Sequence, residues 1–239
     1  MQTAFKTYKK EFEHSYSFGA FPTIEMIKAR PEKAIKVFAG SSYREQDELL
    51  ELCAKNGIEF EVNDKTISRL SPKENCLVIG VFGKYECELE TNTPHTALQN
   101  PGNMGNLGTI IRTMLGFGIH DLAIIGSGAD ILDPKVVRAS MGAVFRIRFA
   151  HFDTIESYAE KFGGHDLYPF MLDGELTLSE LPEREDKPFT LIFGNEAAGL
   201  DEHYRKIGKS VVIKHSGEID SLNLSIAAGI AFYEFTKRR

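Results

Sequence analysis

Apolar positions along this chain switch repeatedly between a spacing of two and a spacing of three to four, as expected when short strands and helices follow one another. Ala34-Ile-Lys-Val-Phe38 reads as a strand. Tyr43 to Asn56 reads as a helix with Leu49, Leu50 and Cys53 on its buried face and Gly57 as its stop. Ile58 to Val62 alternates as a half-buried strand, followed by a short helix from Asp64 to Leu70 and a strand from Cys76 to Phe82. Residues 23–84 therefore form a small α/β domain behind a polar and aromatic N-terminal extension, residues 1–22.

Residues 85–94 are polar, acidic and closed by a proline, and they read as a linker. From 95 to 239 the pattern restarts with longer units. Leu107 to Leu115 is a helix with an apolar face, Leu122 to Ile125 a buried strand, and Asp133-Pro134 the start of a helix running through Met141. Phe145-Arg-Ile-Arg-Phe149 alternates as a strand with two arginines on one face. A helix over Thr154–Phe162 and strands over Leu167–Leu172, Phe189–Phe193 and Ser210–Ile213 follow, with a short helix at Glu202–Ile207 and a closing helix over Leu222–Phe235. Strands alternating with helices imply an α/β fold with a mostly parallel sheet covered on both sides.

Composition narrows the class. The 239 residues are 26% charged and 42% apolar, ordinary for a folded globular chain. A net charge of −6 means that no bulk electrostatic attraction draws the chain onto phosphate backbones, so a nucleic-acid partner must be recognised locally. The cysteines, Cys53, Cys76 and Cys87, lack the short paired spacing of a zinc site and read as reduced thiols, with no metal expected. The N-terminus lacks the apolar core of a signal peptide, and no segment reaches the roughly 18 apolar residues of a membrane span, so the expectation is a cytoplasmic protein.

In an open parallel sheet, chemistry collects in loops beyond the carboxyl ends of the strands. Asn100–Gly108, Gly194–Gly199 and His215–Ser225 fit that position, each rich in glycine, amides or hydroxyls. The glycines at 102, 105 and 108 do not make the spacing of a dinucleotide loop, and no phosphate-loop motif occurs anywhere. The first loop either serves only turns and a helix cap or presents free backbone N–H groups to an anion or a ribose oxygen. Arg112 lies on the flank of the following helix, either as a solvated surface charge or as a grip for phosphate.

At these loops the sequence resembles the SpoU, or TrmH, family of RNA ribose 2′-O-methyltransferases, within the SPOUT superfamily. The motifs are NMGNLGTIIRT (103–113), LIFGNEAAGL (191–200) and IKHSGEIDSLNLSIAAG (213–229), in the family's order across about 95–239. The resemblance implies a C-terminal α/β trefoil-knot methyltransferase domain, a leading small α/β domain like a ribosomal-protein RNA-binding fold, and S-adenosylmethionine bound in the knot. It also implies a homodimer whose active site is completed at the subunit interface, acting on tRNA or rRNA. A non-catalytic RNA-binding protein of the same fold is the alternative.

Residue by residue, the resemblance selects Asn106 and Arg112 from the first motif, Glu196 from the second, and Ser221 and Asn223 from the third as the catalytic set. Backbone groups at Gly194, Ile213 and Leu222 would hold the cofactor. Asn103 rivals Asn106, which is preferred because it keeps the six-residue spacing to Arg112. A guanidinium holds its proton too tightly to serve as a base, which argues against Arg112 in that role and for orientation and phosphate gripping. Arg146, Arg148, Lys135 and Arg138 are the candidate RNA-facing cations.

Overall fold

The computed structural model describes residues 5–71, 75–181 and 187–237. Its contacts divide into two compact units, one made of residues 1–85 with 130–146, the other of 86–129 with 147–239.

The first unit opens with β1 (His14–Phe18), α1 (Ala20–Ala29), β2 (Ala34–Ala39), α2 (Gln46–Lys55), β3 (Glu59–Val62), α3 (Asp64–Leu70) and β4 (Val78–Gly83). Its sheet has the order β1-β4-β2-β3, with β4 antiparallel to both neighbours and β3 parallel to β2. Neither β1 nor α1 stands out in the sequence. In β1 the serines break the apolar alternation, yet Ser15 and Ser17 are fully buried. Their hydroxyls explain this: Ser15 Oγ donates to the Leu132 carbonyl at 2.5 Å, and Ser17 Oγ shares a hydrogen bond with Thr23 Oγ1 at 2.9 Å. On α2 the buried pair is Leu49 and Cys53, whereas Leu50 is 46% exposed. The i, i+4 pair takes the packed face, and the next residue is turned away from it.

The chain continues through β5 (His95–Gln99), α4 (Met104–Gly116) and β6 (Asp121–Ile125) in the second unit, then rejoins the first over Asp130–Arg146 with α5 (Pro134–Ala139). It returns as β7 (Arg148–Phe152), α6 (Ile155–Lys161), β8 (Asp166–Pro169), β9 (Leu176–Thr177), β10 (Phe189–Phe193), β11 (Val211–Val212) and α7 (Leu224–Thr236). The main sheet is wholly parallel in the order β7-β6-β5-β10-β8, and β9 with β11 forms a small parallel pair. The expected strand at 145–149 is displaced, because Ala143–Arg146 is a 3-10 turn and β7 begins at Arg148. Arg146 and Arg148 therefore do not share a strand face.

Alternation along β10 places its side chains in two layers. Phe189 and Phe193 meet Phe235 and Phe232 of α7, while Ile192 joins Ala97, Ala123, Ile155, Tyr158 and Phe162 on the α6 side. Both faces are thus covered, as a parallel sheet requires.

At the amino ends of these strands lies a buried polar cluster. His95 Nε2 bonds the Glu90 carbonyl at 2.6 Å and Nδ1 bonds Tyr158 Oη at 2.8 Å, while Arg148 clasps the buried Asp121 through two hydrogen bonds. Burial lowers the His95 pKa from 6.5 to about 4. The unfolded chain therefore takes up this proton first, so stability from the neutral imidazole is present above about pH 6.5 and is lost as pH falls toward 4. That difference is worth on the order of 3 kcal/mol. Urea unfolding should show a decline of this order between near-neutral and mildly acidic pH, and His95→Gln should flatten it; an equally steep profile in the variant would contradict this account.

Candidate active site

From β5 the chain moves outward through β6 and β7 on one side and later fills β8 and β10 on the other. The carboxyl ends of β5 and β10 therefore flank a topological switch point, where open parallel sheets form a ligand crevice. The residues after β5 and β10 carry the first two motifs.

Helix α4 begins at Met104, three residues before the apolar run, so half of the amide-rich loop is its first turn. The cause is a cap. Asn103 Oδ1 accepts from the N–H groups of Gly105 at 2.9 Å and Asn106 at 3.0 Å. The amide of Asn103 is thus occupied locally, whereas that of Asn106 points to other loops.

Glu196 accepts at one carboxylate oxygen from the Gly102 N–H at 3.4 Å and at the other from the Asn103 N–H at 3.3 Å and Asn106 Nδ2 at 3.2 Å. In turn, Asn106 Oδ1 accepts from Asn223 Nδ2 at 3.2 Å. Asn223 also caps α7, its Oδ1 accepting from Ser225 N at 2.9 Å and Ser225 Oγ at 2.7 Å. A continuous chain of side-chain bonds thus joins the three motif loops. Burial opposes ionisation of Glu196, but hydrogen bonds from its own backbone N–H and then from Asn106, Gly102 and Asn103 outweigh it and hold the carboxyl below its ordinary pKa. At neutral pH Glu196 is a fixed acceptor and a weak base.

Beside this chain lies a cavity of about 650 Å³, a size suited to a cofactor. Gly194, Ile213, Ser221 and Leu222 line it together with Asn106, Glu196 and Asn223, and Phe170, Leu172 and Phe193 add apolar walls. Gly194 has no room for a side chain, since a Cβ there would sit 2.1 Å from the Gly199 carbonyl carbon. Gly199 itself takes a left-handed φ of 68°, the conformation that closes this turn. The wall from Phe170 to Asp173 was not legible in the sequence. Its one signal is Gly174, whose Cβ would lie 2.4 Å from the Val211 carbonyl carbon.

Seven of the eight expected site residues therefore meet at one cavity. Arg112 does not. It is exposed on α4, six residues and about 9 Å along the axis from Asn106. Among the described residues it has no hydrogen-bond or ion-pair partner. The expected RNA-facing cations also divide. Arg148 is taken up by Asp121 and Glu90, and Arg146 pairs with Glu25 at 2.6 Å, so both are committed internally. Lys135 and Arg138 remain exposed on α5. No group of three or more His, Cys, Asp or Glu among the described residues is placed to hold a metal ion, and no helix among them is long and apolar enough to cross a membrane.

A parallel α/β unit with a glycine-lined crevice at its switch point defines a cofactor-binding protein of the α/β class. The model of the SpoU rRNA Methylase family matches residues 94–233, and the chain belongs to that family. A tRNA/rRNA methyltransferase from Mycobacterium sp. (strain KMS), itself uncharacterized, is 29% identical over 97% of this chain and 79% of the relative. The 23S rRNA (adenosine(1067)-2′-O)-methyltransferase of Streptomyces azureus is 26% identical over 84% of this chain and 78% of its own. Among solved structures, the AdoMet-bound rRNA methyltransferase from Sinorhizobium meliloti superposes with a TM-score of 0.81 at 28% identity, covering 95% of this chain and 87% of that one.

Proposed function

We propose that this protein transfers a methyl group from S-adenosylmethionine to a ribose 2′-hydroxyl of RNA, the reaction named for its Streptomyces azureus relative. The observation that carries the reading is the bonded convergence of Glu196, Asn106 and Asn223 from three separate loops at the rim of one glycine-lined cavity.

The cavity fits the cofactor in a specific way. At Gly194 the main chain of Gly199 and Leu200 comes so close that no side chain has room, and this tight turn lets residue 194 line the cavity as bare main chain beside Ile213 and Leu222. Bound there, S-adenosylmethionine supplies a methyl group already activated by the positive charge on its sulfur. The chain must then hold a weak nucleophile, the protonated 2′-hydroxyl, in line with that methyl. Fixing the geometry is where most of the rate comes from, because well-oriented reactants gain effective molarities of about 10⁵ M and above. Asn106 and Asn223 are tied to each other and to Glu196, so their amides approach the ribose in fixed directions. Ser221 adds a hydroxyl at the same wall. Arg112, exposed and unpaired among the described residues, grips the RNA phosphate bidentately.

Arg112 reaches that role in a homodimer whose second copy completes each site. In support, α7 leaves Ile226, Ile230 and Tyr233 exposed at i, i+4 and i+7 spacing, beside the flank of α4 where Thr113 meets Gly229. We further infer, from the family resemblance, that the 95–239 region threads a trefoil knot, that the domain over 23–84 with Lys135 and Arg138 of α5 nearby in the first unit contacts RNA, and that the protein works in the cytoplasm. Calorimetry tests the base of this reading. One S-adenosylmethionine should bind per chain, and no heat at any concentration would contradict it.

A further inference from the structure

Asn195 stands between the cofactor-lining Gly194 and the carboxylate of Glu196, and both ends of its carboxamide are engaged. Nδ2 donates to the Asn100 carbonyl oxygen at 2.8 Å, and Oδ1 accepts from the Ala197 N–H at 2.9 Å. The first bond crosses from the loop after β10 to the end of β5. Its acceptor is itself fixed. Asn100 holds a left-handed φ of 47°, donates its N–H to the Ile125 carbonyl at 2.9 Å, and at its side-chain Oδ1 accepts from Ser127 Oγ at 3.2 Å.

We propose that Asn195 is a positioning residue, a clasp that sets Glu196 at its working distance from Asn106; this rests on the methyltransferase reading above. Bond lengths decide between Asn195 and Glu196 as the element that holds the two loops. The hydrogen bonds Glu196 makes span 3.2–3.4 Å, at or past the long end of the usual range, whereas the neighbouring clasp at 2.8 Å is short and anchored on a rigid partner. The Asn195–Gly199 bridge, with the Gly199 N–H donating to the Asn195 carbonyl at 2.9 Å, then carries that position across the loop.

Two variants separate the clasp from the local turn. Asn195→Ala removes the bonds to Asn100, Ala197 and Ala198, while Asn195→Asp keeps the acceptor for Ala197 and Ala198 and opposes an oxygen to the Asn100 carbonyl. Both should lower kcat about 10- to 100-fold, since small misplacements carry costs of that size. The KM for S-adenosylmethionine should stay within about threefold, because the main-chain groups that line the cavity remain. Combined with Glu196→Gln, either change should cost little beyond Glu196→Gln alone, as expected for residues acting as one unit. Wild-type kcat in both variants, a proportional loss of cofactor affinity, or full additivity with Glu196→Gln would overturn the assignment. A wild-type chain that binds no cofactor and methylates no RNA would remove the methyltransferase reading itself, and this assignment with it.

Discussion

Arg112→Ala is expected to lower methyl transfer to RNA by about 10²–10³, the usual cost of removing one preorganised charge from a reacting centre. Fold and cofactor binding should survive. Arg112 is exposed and outside the cavity, so its loss leaves no buried partner unsatisfied and should shift stability by no more than about 0.5 kcal/mol. Arg112→Lys should recover little, because a point charge does not reproduce the two-pronged guanidinium geometry. Single-turnover transfer, measured beside calorimetric cofactor binding, checks the split. Mixing Arg112→Ala chains with chains carrying Asn106→Ala should restore part of the activity if each site draws its arginine from the second copy. Near wild-type rates in Arg112→Ala would remove the residue from the site.

Gly194→Ala is expected to weaken cofactor binding, raising the dissociation constant about 100-fold. The added carbon would fall 2.1 Å from the Gly199 carbonyl carbon, 2.3 Å from its oxygen and 2.5 Å from the Leu200 nitrogen. All three are main-chain atoms, so nothing can rotate away. The loop must part by more than an ångström, and overpacking of this kind costs about 1–3 kcal/mol in stability. Because the same loop carries Glu196 and Asn195, the network to Asn106 and Asn100 should loosen with it. Isothermal titration and thermal unfolding read the two effects together, and unchanged affinity would mean that the glycine does not shape the cofactor's cradle.

Much of the second unit was legible because parallel strands are buried on both faces and read as plain apolar runs, as at Leu122–Ile125 and Phe189–Phe193. The motif loops were visible as clusters of glycines and amides, but composition left a turn-and-cap role open, and the family resemblance selected the site residues. What the chain pattern hid was tertiary. His14–Phe18 conceals a strand because its buried serines find partners far along the chain, one at Leu132. Arg146 and Arg148 looked like a basic stripe, but Glu25 and Asp121 neutralise them, and neither acid is close in sequence. The return of residues 130–146 to the first unit has no linker to announce it. Within the site, Asn103 and Asn106 could be ranked only by spacing, whereas geometry gives the first to a helix cap and the second to the loops that carry Glu196 and Asn223.

The atom that receives the methyl group defines the reaction. RNA incubated with the protein and isotopically labelled S-adenosylmethionine, then digested to nucleosides and resolved by mass spectrometry, should carry the label on ribose as a 2′-O-methylnucleoside. Label on a base, or none on RNA under conditions where the cofactor binds, would contradict the account.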